Sequence, residues 1–149
     1  MTQLYVADSR SRNGQRAAIA VLECGAACEF RKVDLGRGDH KRAHYLAINP
    51  LGKIAVPVDP DGPGGEPFVL RQSWAILLYL AEKTGRFLSS EPLARAQVWQ
   101  WVAEAMSDLA PTNATVALLN NAIYCAPKFP AVPKQATRYY EDALAACRT

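Results

Sequence analysis

NPLGKIAVPVDPDGPGGEPFVLRQSWAILLYLAEKTG, Asn49 to Gly85, decides how this chain is read. IAVPV and FVL (Phe68–Leu70) are short apolar runs joined by the glycine- and proline-rich DPDGPGGEP, which predicts a β-hairpin. Ser73 then stands as the N-cap of the apolar helix WAILLYLAEKTG, ended by Gly85. Pro57 sits oddly inside IAVPV. Proline cannot donate to a strand ladder, so this position calls for an edge, a bulge or a cis bond.

Upstream, LYVA (Leu4–Ala7) reads as a buried strand running into a polar loop. Asn13 is a good N-cap, and Ala17, Ala18, Val21 and Leu22 recur at helical spacing until Gly25. FRKVDL (Phe30–Leu35) alternates like a second strand, and DHKRAHYLAI (Asp39–Ile48) is helix-like, closing at Asn49-Pro50. The order strand, helix, strand, helix, strand, strand, helix predicts an α/β layer with a mixed sheet. After Leu88 the polar link SSEP leads to helices only. Val98, Val102, Met106 and Leu109 mark one face of the first, which Ala110-Pro111 ends or kinks. Further helices are predicted from about Thr112 to Tyr124 and from Pro133 onward. The domains expected are 1–88 and 91–149.

Composition narrows the function classes. With half of its 149 residues hydrophobic and 21% charged, the chain is globular rather than disordered. The net charge of +3 is modest and the Arg and Lys residues are scattered, so neither nucleic acid nor a membrane surface is expected as partner. No apolar stretch reaches the roughly 18 residues of a membrane span, and MTQLYVADSRSR lacks the order of a signal peptide. A cytoplasmic protein is expected. Cys24, Cys28, Cys125 and Cys147 are then reduced, packing thiols; CGAAC is not the redox spacing. His40 and His44 have metal-ligand spacing but no third ligand nearby, and Asp59 and Asp61 read as turn residues, so no metal is expected.

The stretch RQSWAILLYL points to chemistry by itself. At Ser73 free N–H groups and the positive end of the helix dipole face outward, a ready site for a carboxylate. Gln72 beside it can accept from an ammonium and donate through its amide.

NPLGKI, GGEP, QSWAILLYLAEKTGRFL and KVDLGRGD resemble the glutathione transferase superfamily, in particular its bacterial Nu-class members, many of which reduce disulfides with glutathione. The resemblance is specific from Leu4 to about Leu88 and continues weakly through WQW and TRYYED. It implies a thioredoxin-like N-terminal domain that binds glutathione as co-substrate, followed by an all-α C-terminal domain, here incomplete. A homodimer is expected, with an unidentified electrophile or disulfide as second substrate.

The same resemblance implies site residues. Gln72 and Ser73 match the family's Gln-Ser pair, which holds the γ-glutamyl end. Ser11-Arg12-Asn13-Gly14 resembles the string that favours the glutathione thiolate, making Asn13 and Ser11 the catalytic candidates. His40, Lys53 and Arg138 match further glutathione-contacting positions. In the family a cis proline follows Gly-Lys-Ile and presents the preceding residue's backbone to the cysteinyl part. Here Ala55 stands there, with Pro57 two residues on. Either the strand has slipped by two, Val56-Pro57 is cis and Val56 replaces Ile54 in that pairing, or the cis bond is lost; the slip is the expectation. Trp74 replaces a usually small residue and is expected to crowd the site or a dimer seam. Of Trp99 and Trp101, one is expected in the core and one on the substrate side. Two functions follow: a glutathione-dependent transferase or disulfide reductase, or a non-catalytic shortened module that keeps the fold.

Overall fold

The computed structural model describes residues 1–7 and 11–112. The chain divides into two compact units, Met1–Pro92 and Leu93–Thr149. In the first unit β1 (Thr2–Val6), α1 (Arg12–Cys24) and β2 (Cys28–Lys32) form a βαβ unit with parallel strands. A short 3₁₀ turn (Asp39–Lys41) and α2 (Ala43–Ile48) follow, then β3 (Val56–Asp59), β4 (Phe68–Val69) and α3 (Ser73–Thr84). The sheet runs β2-β1-β3-β4, with β3 antiparallel to both of its neighbours. This is the thioredoxin-like arrangement.

Successive residues of a strand face opposite sides of the sheet. Leu4 joins Ala17, Val21 and Cys24 of α1, Ala55, and Ile76 and Leu80 of α3 in the core. Tyr5, facing the other way, meets the ring of Tyr45 on α2 edge-on at 6.0 Å. The buried positions of α1 (Gly14, Ala17, Val21, Cys24) recur every three or four residues, as do Ser73, Ile76 and Leu80 of α3, with Ala81 buried beside Leu80. Each helix therefore buries a single stripe.

Several helix boundaries differ from expectation. Ser11, not Asn13, caps α1: its hydroxyl accepts from the Gly14 N–H at 3.1 Å, and Asn13 lies inside the first turn. Ser73 is the first residue of α3, and Gln72 holds the cap position at φ 75°, ψ 115° with no side-chain capping bond. The helix expected from Asp39 to Ile48 is interrupted at Arg42, whose backbone is extended.

Pro57 is neither at an edge nor cis. The cis bond is Ile54-Ala55, so the slip by two does not occur. The register explains how the sheet tolerates the proline: Leu4 faces Pro57 while Tyr5 faces Val56 and Gln3 faces Val58. The Pro57 carbonyl points at β4 and accepts from Leu70 N–H at 3.2 Å. The missing N–H therefore faces the end of a two-residue strand, and the ladder with β1 loses nothing.

In the second unit α4 (Pro92–Glu104) runs into a π-helical stretch, Ala105–Leu109. Helix resumes over 110–112. Pro111 neither ends nor sharply breaks it; a proline ring collides with the carbonyl four residues back, and the wider turn lies just before it. The wider turn also disrupts the expected stripe, since Val98, Val102 and Leu109 are half-buried but Met106 is exposed. Trp99 and Trp101 are both exposed, Trp99 under the guanidinium of Arg95, so neither is core. The later helices, Cys125, Arg138 and Cys147 lie outside the described residues. No described helix is long and apolar enough to cross a membrane.

Candidate functional site

The first turn of α1 and the start of α3 converge. Ser73 is buried because the residue after a cap turns inward with the stripe that carries Ile76 and Leu80. Arg16, one turn into α1, donates through Nη1 to Ser73 Oγ at 2.7 Å and to Asn13 Oδ1 at 2.9 Å. Ser73 Oγ donates in turn to Asn13 Oδ1 at 3.4 Å, a long bond. The Arg16 guanidinium lies over the Trp74 ring, 3.9 Å from its centroid. Trp74 thus carries a cation beside Ser73. Burial lowers the pKa of Arg16.

The Asn13 carbonyl is taken by Arg16 and Ser73, so its amide N–H pair is what remains to donate. Ser11 accepts from Gly14 yet keeps its own hydroxyl proton. Both catalytic candidates can therefore offer a proton to a neighbouring anion. Gln72 is exposed, and its positive φ is unusual for a residue with a side chain.

The Lys53–Ile54 segment is held from below. Tyr45 Oη and Asn49 Nδ2 both donate to the Lys53 carbonyl at 2.7 Å, and Asn49 Oδ1 accepts from Leu51 N–H. Burial pushes the Tyr45 phenol up to about 12, so it remains a donor at neutral pH. Gly52 packs so closely that a side chain there would meet the His40 carbonyl at 2.8 Å. That approach sets the 3₁₀ turn of His40 and Lys41 against Gly52. His40 Nδ1 is buried without a hydrogen-bond partner among the described residues, and His44 is exposed. No group of three metal-ligating side chains occurs among the described residues.

Val56 and Pro57 do not belong to this surface. Both are buried, Val56 opposite Tyr5 in the ladder and Pro57 bonded to Leu70, so neither main chain is free to pair with a ligand. Ile54 precedes the ladder, which begins at Val56.

An open cleft of about 480 Å³ lies elsewhere, lined by Asp61, Gly62, Pro63, Tyr79, Glu82 and Lys83. Ten residues of helix separate Lys83 from Ser73, roughly 15 Å. Beside the cleft Asp59 is buried and accepts from Tyr79 Oη at 2.6 Å and Lys83 Nζ at 2.7 Å. Asp59 Oδ1 also accepts from Asp61 N–H, the bond of a turn residue, but its larger task is tying the hairpin to α3. Cys24 and Cys28 carry no disulfide. Cys24 packs in the core, and burial pushes the Cys28 thiol up, away from the reactive thiolate.

A thioredoxin-like sheet, a helix start with a buried serine and a proton-donating first turn on α1 together define a class, and comparison with known proteins places the chain in it. Residues 10–83 match the family model of the glutathione S-transferase N-terminal domain, and the first unit belongs to that family. The chain is 43% identical to the disulfide-bond oxidoreductase YfcG of Escherichia coli over 112 residues, covering 74% of this chain and 51% of that protein. It is 37% identical to glutathione S-transferase F10 of Arabidopsis thaliana, covering 60% and 41% respectively. A glutathione transferase family member from Pseudomonas fluorescens, solved with two glutathiones bound, superimposes with a TM-score of 0.88 at 29% identity, over 97% of this chain and 63% of that one. A glutathione transferase from Pseudomonas putida, solved with glutathione disulfide, gives 0.87 at 30% identity, over 98% and 63%. This chain spans about half the length of the curated relatives it matches.

Arg16 was not anticipated from sequence. An arginine on a helix flank reads as solvated, and its contact with Ser73 spans 57 positions.

Proposed function

We propose that the first unit binds glutathione and delivers its thiolate to a disulfide or an electrophile, as a disulfide-bond reductase or transferase. The observation that carries this reading is the buried Ser73 hydroxyl at the first turn of α3, with Asn13 and Arg16 beside it. A γ-glutamyl carboxylate set there meets the unfilled N–H groups of the helix start, the Ser73 hydroxyl and the Gln72 amide. The cysteinyl backbone then runs along Ile54, and the peptide's far end reaches Lys53 and His40. The thiol falls towards the first turn of α1, where Asn13 and Ser11 donate to it and favour the thiolate, the reactive form. Arg138 belongs to the same reading. Residues 1–88 act as the glutathione-binding domain and 91–149 as the partial helical one, with a second copy of the chain as assembly partner. The relatives, which include transferases solved with glutathione or its disulfide and a disulfide-bond oxidoreductase, support it.

A non-catalytic module is the rival, and one observation favours it: Arg16 already occupies the Ser73 hydroxyl. Titration calorimetry with glutathione and its disulfide separates the two. The wild type is expected to bind, and Ser73→Ala to weaken binding by roughly 1–3 kcal/mol through loss of a charge-assisted bond. Unchanged affinity in a folded variant would sink the assignment. The bound thiol is tested by its ultraviolet absorbance against pH. Asn13→Ala should move that titration up by about one pH unit if Asn13 favours the thiolate. Identical curves at saturating glutathione would leave Asn13 a helix residue only.

A further inference from the structure

We infer that Arg16 is the anion-receiving residue of this site and pairs with the α-carboxylate of the γ-glutamyl group, which makes it a determinant of ligand specificity. The inference rests on the glutathione reading above. Arg31, Arg37 and Arg42 each pair with a nearby carboxylate, Glu29, Asp34 and Asp39. Arg16 is half-buried, and its hydrogen-bond partners among the described residues are two neutral oxygens, Asn13 Oδ1 and Ser73 Oγ.

A cation withdrawn from water without a counter-charge is costly, and burial accordingly lowers its pKa. The side chain is nevertheless held in place. Trp74 supplies a ring face at 3.9 Å, and both neutral contacts involve Nη1, so Nη2 remains to donate. A planar guanidinium fixed by stacking, with donors to spare, suits a carboxylate, and the nearest hydroxyl is that of Ser73 itself. The anion that Ser73 holds would complete the pair that the protein leaves open. An uncharged substitute at that carboxylate would leave the cation unpaired, so discrimination follows from the same geometry.

The test uses calorimetry on the full chain with two ligands: glutathione, and 4-aminobutyryl-cysteinylglycine, which lacks only that carboxylate. Arg16→Gln is expected to lose roughly 10- to 100-fold in affinity for glutathione while its affinity for the analogue stays unchanged. Arg16→Lys keeps the charge without the fork and should fall between wild type and Arg16→Gln for glutathione alone. Equal losses on both ligands, or no loss on either, would overturn the role of Arg16 while leaving the glutathione reading intact. Failure of the wild type to bind glutathione would remove both. If circular dichroism shows Arg16→Gln unfolded, the ratio of the two affinities in Arg16→Lys decides by the same criterion.

Discussion

Asp59→Ala is expected to lower folding stability by about 2–4 kcal/mol, read from urea denaturation at constant m-value. Asp59 is 2% exposed and receives hydrogen bonds from Tyr79, Lys83 and the Asp61 N–H. Removing it strands the Tyr79 hydroxyl beside an emptied space and takes from Lys83 its buried counter-charge. Lys83 also donates to the Asp61 carbonyl, so the variant loosens the hairpin as well as α3. Asp59→Asn, which keeps an oxygen, should cost less. A loss under about 0.5 kcal/mol would show that the tie contributes no more than an ordinary surface substitution.

The same tie sets a pH window. Burial by itself pushes the Asp59 carboxyl up, but hydrogen bonds from Lys83, Tyr79 and the Asp61 N–H outweigh it and hold the group below its usual 3.8. A carboxyl lowered in the folded state stabilises fully above its unfolded value, and that contribution is lost as pH falls through the folded one. Lys83 is raised above 10.5, first by its bond to Asp59, so its share is present below that value and lost as pH rises through the folded pKa. Between these limits the contribution is flat. In Asp59→Ala the acid arm of the stability profile should flatten relative to wild type.

Ile76→Ala is expected to cost about 2–5 kcal/mol. Ile76 is fully buried and lies one turn beyond Ser73, in the core with Leu4, Ala17 and Val21. The cavity would open where α1 and α3 press together, the packing that brings Arg16 to Ser73. Stability and glutathione affinity should therefore fall together, whereas Asp59→Ala acts at the other end of α3 and should spare affinity. Denaturation and calorimetry on both variants check that contrast.

Element order was legible because punctuation marks it. Gly25, Asn49-Pro50 and Gly85 stop helices by local chemistry, and DPDGPGGEP joins β3 to β4. Fine placement failed wherever two residues offered the same chemistry. Ser11 and Asn13 are both good caps, and the bond to Gly14 chose the serine. Gln72 at positive φ could not be foreseen, since nothing in a glutamine prefers that region. The preference of cis bonds for proline pointed to Val56-Pro57, yet pairing of Val56 with Tyr5 fixes the register and leaves the cis bond at Ile54-Ala55. Arg16 and the Asp59–Lys83 tie depend on partners 57 and 24 positions away, beyond the reach of spacing arguments.

Among the described residues the sheet has two rims, and neither offers a long, uncharged template for a fifth strand. β4 exposes only two residues, with Pro67 immediately before them. β2 carries Glu29, Arg31 and Lys32. A strand arriving from another molecule would meet charged side chains on one side and a stub on the other, the features by which soluble sheets resist edge-to-edge aggregation. The two-residue β4 behind Pro67 and the charged β2 thus leave little for an incoming strand to pair with at either rim.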